Sequence, residues 1–307
     1  MNTKNIILLS CIFLLLGFFV GSIEKMPYTT NIKTSTSPEF TSTTTPHALS
    51  TPAIQDILML INEDAGTDYS IYVNTLDGKQ SFIYNDKQFR SASMIKVFIL
   101  AKAMEAINEG KLNEDQIIIL NEADKVGGAG SLIGYPDGAE LTISELLRLM
   151  IIQSDNTATN IMIDVLGMDE INEYIKREGY TQSVLNRKMM DPAPIQDNKR
   201  NYTSAKDLGI FFAKLYKHQC VNPYLDNKMI DLLVEQMDKD CFPEALPERK
   251  IAHKTGELME LYHDGGIIYS PKHNYVLCIL TDNIQTRYTT LTTMQKITQL
   301  VDSDINE

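Results

Sequence analysis

Three short polar motifs lie in one order along the chain and contain the residue types that serine acyl transfer needs. An S-x-x-K, an S-D-N and a K-T-G together supply a nucleophilic serine, a base that activates it, a proton relay and a cationic anchor. The motifs are Ser93-Met94-Ile95-Lys96, Ser154-Asp155-Asn156 and Lys254-Thr255-Gly256. Their order and spacing predict serine acyl transfer, because independent structural features would not be expected to follow one another in this way.

Each motif taken alone also has a purely structural interpretation. Ser22 and Lys25 match S-x-x-K as well, in a segment where no chemistry is expected. Ser93 differs because it begins a predicted helix, which places Lys96 one turn later on the same face. Free N–H groups at a helix N-terminus favour an attacking alkoxide and a developing oxyanion. Alone, the S-D-N motif would be a helix cap, and the K-T-G motif an edge lysine beside a bulge.

The surrounding sequence predicts strands at both ends of a globular body and helices between them. Ile54, Ile57, Leu58 and Ile61 are apolar at helical spacing, and Asp77-Gly78 is a hairpin signal. The predicted elements are strands at 69–73 and 81–84, helices at 93–108, 142–150, 157–166, 170–178, 204–218 and 226–237, strands at 250–256, 266–270 and 274–281, and a helix at 289–301. This pattern predicts one sheet built from both ends of the body, with a helical insertion.

Composition restricts the classes of partner. The chain has 307 residues, 43% of them apolar, and a formal net charge of -12. An acidic chain without clustered Lys and Arg is a poor ligand for phosphate backbones or anionic lipids. We therefore expect no nucleic-acid partner, and membrane contact only through the N-terminal segment.

The N-terminal region has the composition of an export signal and a tether. Residues 6–20 are almost uniformly apolar after Lys4, which predicts a signal peptide or N-terminal membrane anchor over 1–22. Residues 23–52 form a linker rich in Ser, Thr and Pro, and the catalytic body is expected over 53–307. The expected location is periplasmic or extracellular, with a membrane tether if the signal is not cleaved.

Cysteine usage leaves one disulfide to consider in an exported body. Cys278 lies in a predicted buried strand and is expected to be a core thiol, so Cys220 and Cys241 are the one pair that could bridge. The sequence contains no C-x-x-C and no H-E-x-x-H, so no metal site is predicted.

With the three motifs in this order, the chain resembles the class A β-lactamases within the penicillin-recognising serine hydrolases. The similarity runs from about Ala53 to the C-terminus and includes residues 138–146, residues 154–160 and Gly167. It implies an α/β (α+β) fold in which an antiparallel sheet flanked by terminal helices (53–90 and 245–307) carries a mainly helical inserted domain (91–244). It also implies a site in the crevice between the two parts, and no metal or cofactor.

The resemblance implies a role for each motif residue. Ser93 would be the acylated nucleophile and Lys96 its base, while Ser154 would pass a proton to the leaving nitrogen. The remaining positions would bind the substrate. Asn156 would bind the acyl side-chain amide, and Lys254 with Thr255 and Gly256 would bind the carboxylate. The backbone N–H groups of Glu257 and Ser93 would form an oxyanion hole.

The sequence departs from the family pattern where class A enzymes carry a glutamate that activates the deacylating water. Aligned on Arg187, that glutamate falls on Met189, whose thioether is not a base. Asp191 is the next carboxylate and is the candidate replacement. Glu257 is a second departure, because its charge would repel an anionic substrate unless it turns outward. Acylation is therefore expected to be intact, while deacylation is left open.

Three functions follow from these observations. The first is hydrolysis of β-lactams through a serine acyl-enzyme, with antibiotic resistance as its consequence. A second is a D-Ala-D-Ala peptidase or transpeptidase-like cell-wall enzyme that β-lactams trap, and a third is an acylated β-lactam-binding receptor. The expected partner is a small β-lactam or a D-Ala-D-Ala-like peptide, bound by a monomer.

Overall fold

The computed structural model describes residues 48–77, 81–192 and 199–307. Its elements in chain order are α1 (Thr51–Glu63), β1 (Asp68–Asn74), β2 (Ser81–Tyr84), β3 (Phe89–Arg90), α2 (Lys96–Asn108), β4 (Ile117–Ile119), β5 (Glu140–Thr142), α3 (Ile143–Ile152), α4 (Asn156–Leu166), α5 (Met168–Arg177), β6 (Tyr202–Thr203), α6 (Ala205–Tyr216), α7 (Pro223–Val234), α8 (Phe242–Ala245), β7 (Lys250–Leu258), β8 (Leu261–Tyr269), β9 (Tyr275–Asp282) and α9 (Arg287–Asn306). Short 3₁₀ turns cover Ala92–Ile95, Glu122–Asp124 and Leu132–Gly134.

A five-stranded antiparallel sheet joins the two ends of the body. Its strand order is β2-β1-β9-β8-β7, so the N-terminal hairpin pairs with the C-terminal strands through β1 and β9. The predicted hairpin and the predicted sheet built from both ends are confirmed. Strand β8 begins at Leu261, five residues before the predicted start, because buried polar residues such as His263 and Asp264 interrupt the apolar pattern without interrupting the strand.

Alternation along the strands divides the hydrophobic core between the two faces of the sheet. On β9, Val276, Cys278 and Leu280 face the helical part, whereas Leu277 and Ile279 face α1 and α9. Successive side chains of a strand point to opposite faces, so one strand supplies both cores. The sheet is therefore covered on one side by the terminal helices and on the other by the helical insertion.

The disulfide that the sequence allowed between Cys220 and Cys241 is not formed. Both residues are free cysteines in the structure, as is Cys278. Cys220 packs against the core on the helical side, while Cys241 is buried in the core between the sheet and the terminal helices. The sheet separates the two sulfurs, so a bridge would require the fold to change.

The folded body starts before the predicted boundary at residue 53. Ala48 and Leu49 are buried, and Ser50 is the N-cap of α1, with Oγ accepting from Ala53 N at 3.3 Å. Ser50 N also donates to Asp304 Oδ2 on α9 at 2.8 Å. The Ser/Thr-rich composition of residues 23–52 gave no indication of this contact between Ser50 and Asp304. The described residues from Ala48 to Glu307 belong to one compact unit, and the apolar segment at 6–20 lies outside the described residues. None of the described helices combines the length and apolarity of a membrane span.

Candidate active site

Ser93 lies on the 3₁₀ turn that leads into α2, at the junction between the sheet and the helical part. Ala92, just before it, has φ of +43°, an unusual value for a residue with a Cβ and one that must be imposed by surrounding contacts. Two hydrogen bonds provide such contacts. Ser91 N donates to Asn201 O at 2.8 Å, and His263 Nε2 bonds Arg90 O at 2.8 Å. The backbone on the N-terminal side of Ser93 is thus held in one position.

Lys96 is the first residue of α2 and is completely buried. Its Nζ donates to Ser154 O at 2.6 Å, to Ser154 Oγ at 3.2 Å and to Asn156 Oδ1 at 2.9 Å. Burial, and then the neighbouring Lys254 ammonium, lower the pKa of Lys96 well below its ordinary value, against the opposing charge of Asp155. Burial therefore disfavours the charged form of this amine, and the interpretation of Lys96 as a solvated lysine does not hold.

The S-D-N motif combines a helix cap with two side chains of the site. Asp155 is the N-cap of α4, its Oδ1 accepting from Ala158 N at 2.8 Å and its Oδ2 from Leu132 N at 2.9 Å. Ser154 has φ of +55°, which turns the chain so that its hydroxyl meets Lys96. The cap predicted for the isolated motif is therefore present on Asp155, between the two residues that contact Lys96.

Lys254 lies on β7, an edge strand of the sheet, yet it is completely buried. Its Nζ donates to Ser154 Oγ at 3.1 Å and to Thr255 O at 2.8 Å. Burial lowers the pKa of Lys254 to about 7, against the opposing charges of Asp238 and Asp264. A hydroxyl has two lone pairs, and the two lysines use both on Ser154, so its own proton is free to be donated elsewhere.

Gly256 lets β7 approach the Ser93 turn closely. A Cβ at this position would lie 3.1 Å from Met94 Cγ, 3.2 Å from Ser91 O and 3.3 Å from Ala92 Cβ, tighter than ordinary packing. Glu257, the next residue, accepts from Arg287 Nε at 2.7 Å. The expected repulsion of an anionic substrate is thereby reduced, because the carboxylate is paired with a guanidinium.

Ser93 opens into a cleft of ≈ 270 Å³. Side chains and backbone from both halves of the body line it, including Ala92, Gly128, Asn156, Met189, Met190, Glu257 and Leu258, together with Arg90, Arg187 and Arg200. Ser93, Lys96, Ser154, Asn156, Lys254 and Gly256 are thus assembled at one place from three separate stretches of sequence. In the described ranges, no group of three or more His, Cys, Asp or Glu side chains is arranged to hold a metal ion.

Met189 faces the cleft from a loop that Asn160 attaches to α4. Asn160 Nδ2 donates to Met189 O at 3.0 Å, and Met189 N donates to Asn160 Oδ1 at 2.7 Å. Met189 is 8% exposed and lines the same cleft as Ser93. The alignment on Arg187 thus places a thioether where class A enzymes are expected to carry their carboxylate.

Asp191 does not line the Ser93 cleft. It lines an adjacent cavity of ≈ 300 Å³ together with Asp124 and Asp164, on the other side of Met189. The chain turns between the two residues, because Met190 has φ of +61°. The role of replacement base that the sequence suggested for Asp191 does not fit this position.

Sequence reasoning assigned no role to Asn160, Asn201 and the arginines of the cleft. A signal existed for Asn160, which lies four residues after Asn156 and so on the same face of α4. Asn201 accepts from Asn186 N at 2.8 Å and from Arg187 N at 3.0 Å through its side-chain oxygen. No local sequence pattern around Asn201 predicts these contacts.

Comparison with known proteins agrees with this geometry. The model of the Beta-lactamase enzyme family matches residues 50–304. Beta-lactamase BRO-1 of Moraxella catarrhalis is 24% identical over 237 residues, which cover 74% of each chain. D-alanyl-D-alanine carboxypeptidase DacF of Bacillus subtilis is 27% identical over 164 residues, or 51% of this chain and 41% of that protein.

Solved structures give the same result over longer spans. A beta-lactamase from Sphaerobacter thermophilus superposes with a TM-score of 0.77 at 26% identity, covering 82% of this chain and 97% of that one. PBP-A superposes with a TM-score of 0.78 at 25% identity, covering 85% and 98%. A point mutant of PBP-A, with a TM-score of 0.76 at 25% identity over 85% of this chain and 99% of that one, was solved as an acyl-enzyme complex with penicillin-G.

Proposed function

The chain belongs to the beta-lactamase enzyme family, and we propose that it opens the amide of β-lactams by forming an acyl-enzyme on Ser93. The observation that carries this proposal is the pair of buried lysines, Lys96 and Lys254, that converge on Ser154 beside the Ser93 cleft. One amine serves as base, the other as anion anchor, and the hydroxyl between them as proton donor. The fold and the serine hydrolase class are those of the family.

Acylation follows from the protonation states that burial favours. With its pKa lowered, Lys96 accepts the Ser93 proton as Oγ attacks the carbonyl carbon, and the carbonyl oxygen becomes an oxyanion. Backbone N–H groups of Ser93 and Glu257 are proposed to bind that oxyanion. Each such donor typically contributes about 3 kcal/mol to the transition state.

Collapse of the tetrahedral intermediate needs a proton on the leaving nitrogen. Ser154 Oγ is proposed to supply it as the C–N bond breaks, and Lys96 returns a proton to Ser154 across their 3.2 Å contact. After this sequence Ser93 carries the acyl group, the amine is neutral, and Lys96 is again the free base. Lys254 stays charged throughout and binds the substrate carboxylate with Thr255.

Deacylation is proposed to be slow. Among the described residues the one carboxylate that lines the cleft is Glu257, and Arg287 is paired with it. Met189, on which the family's glutamate falls in the alignment on Arg187, lines the cleft and carries no base. We therefore expect burst kinetics, in which one equivalent of β-lactam is opened quickly and the acyl-enzyme then persists.

Intact-mass spectrometry after addition of benzylpenicillin tests the proposal. The expected result is a single adduct of the mass of the intact drug, present within seconds and still present after many minutes. Ser93→Ala is expected to give none. An unmodified wild-type protein together with unchanged penicillin would refute the proposed function, whereas an unmodified protein together with hydrolysed penicillin would refute only slow deacylation.

A second candidate function is a cell-wall peptidase of the D-Ala-D-Ala type, and the thioether at position 189 favours it. Slow deacylation makes a β-lactam an inhibitor rather than a substrate, and a carboxypeptidase is among the relatives. Release of D-alanine from a D-Ala-D-Ala pentapeptide would identify this activity. Antibiotic resistance is the outcome proposed for the first function, and it requires turnover that the second does not.

We propose that the protein acts outside the cytoplasm as a monomer. The apolar run at 6–20 and the Ser/Thr/Pro-rich stretch that follows it before the folded body support export and an optional membrane tether. Fractionation of cells that express the full chain, with sedimentation of the purified body, tests both points.

A further inference from the structure

Two arginine side chains in the Ser93 cleft are left without an ion pair to any described carboxylate. Arg90, the third arginine of the lining, donates from Nε to Asp282 Oδ2 at 3.0 Å and from Nη2 to Glu260 Oε2 at 3.1 Å. Glu257 is bonded to Arg287. Arg187 and Arg200 therefore leave the cleft cationic, although the chain as a whole is strongly acidic.

Arg187 is half-buried and only partly satisfied. Its Nη1 donates to the backbone oxygen of Asp191 at 2.9 Å, whereas its Nε is buried without a hydrogen-bond partner among the described residues. Burial and the neighbouring Arg200 cation lower the pKa of Arg187, against the opposing charge of Asp191. Two guanidiniums that line one cleft repel each other, and a bound anion would offset this repulsion.

The two arginines are attached to the backbone that positions the nucleophile. Asn201, which follows Arg200, accepts from Arg187 N at 3.0 Å and from Ser91 N at 2.8 Å through its side-chain and backbone oxygens. Lys254, by contrast, donates from Nζ to Ser154 Oγ at 3.1 Å and to Thr255 O at 2.8 Å. The arginine pair is thus a second cationic group, distinct from the K-T-G anchor.

We propose that Arg187 and Arg200 form a subsite for a second carboxylate, carried on the acyl arm of the substrate. The proposal rests on the proposed acylation of Ser93 and adds a preference among acyl donors. A planar guanidinium presents paired donors that match a carboxylate, and such charge-assisted bonds are the strong ones. The favoured substrates are therefore dicarboxylates, with one group on Lys254 and the other on the arginine pair.

A matched pair of reagents tests the subsite. Second-order rate constants for acylation are measured with benzylpenicillin and with α-carboxybenzylpenicillin, which differ by one carboxylate on the acyl arm. The rate constant for α-carboxybenzylpenicillin divided by that for benzylpenicillin is expected to fall about tenfold in Arg200→Gln and likewise in Arg187→Gln. The Arg200 side chain has no hydrogen bond to lose among described residues. Lys199→Gln removes the same charge from an exposed neighbour and is expected to leave the ratio unchanged.

Two outcomes would overturn the subsite. One is an unchanged ratio in both arginine variants, and the other is an equal fall in Lys199→Gln, which would indicate only long-range charge. Binding of the two penicillins to Ser93→Ala, measured by calorimetry, decides the matter independently of acylation. If neither reagent acylates Ser93, the proposed function fails. The subsite is still supported if the α-carboxy compound binds Ser93→Ala more tightly than it binds Ser93→Ala/Arg200→Gln. Equal binding to these two variants refutes the subsite.

Discussion

The chemistry of the site is determined by how deeply two amines are buried. Lys96 and Lys254 are both fully enclosed and lie within hydrogen-bond distance of the same hydroxyl, that of Ser154. Removal of an ammonium from water disfavours its charged form, and a second ammonium nearby adds to the effect. The lowered pKa of Lys96 therefore supports the role of base proposed for it, which an exposed lysine would not fit.

Met189→Glu is expected to convert a persistent acyl-enzyme into one that turns over. The new carboxylate would lie on the cleft-facing loop that Asn160 fixes, where it can activate water. A positioned general base contributes about 10²-fold or more, so the rate of loss of the penicilloyl adduct should rise by about that factor. Time-resolved mass spectrometry measures it. Met189→Gln, with the same shape and no base, should leave the rate unchanged, and an equal rise in both variants would contradict the argument.

Lys254→Arg is expected to shift the alkaline limb of the acylation rate. Since the pKa of Lys254 is lowered to about 7, its ammonium is present below that pH and lost above it. Acylation by an anionic penicillin should therefore decline above about pH 7 in the wild type. Arginine stays protonated, so the variant should keep its rate to higher pH, even if its maximum is lower. A limb at the same pH in both proteins would show that another group controls it.

Strand β7 and the turn before α2 form the site because they can approach each other closely. Gly256 lies against Met94, Ser91 and Ala92, and Glu257, the next residue, lines the cleft with Ser93. Helix α4 and the turn before it contribute Asn156 and Ser154, which both accept from Lys96 Nζ. The site is therefore sensitive to small displacements of whole elements.

Gly256→Ala is expected to lower the acylation rate about tenfold or more. The added methyl would lie 3.1 to 3.3 Å from Met94, Ser91 O and Ala92, so β7 and the Ser93 turn would have to shift relative to each other by a few tenths of an ångström. Overpacking of this kind typically lowers the free energy of unfolding by about 1 to 3 kcal/mol. Stopped-flow acylation and urea unfolding measure the two effects. Gly134→Ala, where nothing lies within 4 Å of the added methyl, is the control, and wild-type acylation by Gly256→Ala would contradict the prediction.

The sheet as a whole holds the nucleophile through buried polar contacts. His263 on β8 accepts from Thr281 N at 3.1 Å through Nδ1, so its Nε2 is the protonated nitrogen that donates to Arg90 O. Arg90 in turn is bonded to Asp282 on β9. The segment before Ser93 is thus attached to two central strands, and its position depends on the integrity of the molecule.

The stability of the protein is expected to fall as the pH decreases from about 6.5 toward 4, in part because of His263. Burial lowers the pKa of His263 to about 4, so over this range the unfolded chain binds a proton that the folded one does not. The contribution reaches about 3 kcal/mol at most. Urea unfolding at several pH values should show a smaller slope in His263→Asn. The exposed residue His273 supplies the control His273→Asn, and identical slopes in wild type and His263→Asn would contradict the assignment.

Local pattern was sufficient for the types of element and for the motif residues. Helical and strand periods follow from backbone geometry that neighbouring residues share, so α3, α4 and the N-terminal hairpin were predicted within a few residues of their observed bounds. The S-x-x-K, S-D-N and K-T-G motifs pointed to Ser93, Ser154 and Lys254 because each contains its functional groups within one turn or strand. The order and spacing of the three motifs along the chain, which are also visible in the sequence, then favoured a shared function over three separate structural features.

Tertiary structure decided which residues at distant positions meet. Cys220 and Cys241 are separated by the sheet, and Asp191 lies behind Met189 rather than beside Ser93. The convergence of Arg187 with Arg200 in the cleft was equally invisible, since no periodicity links them. Contacts between distant residues depend on packing summed over the whole chain, and the burial that lowers the pKa of Lys96 exists only once that packing is complete.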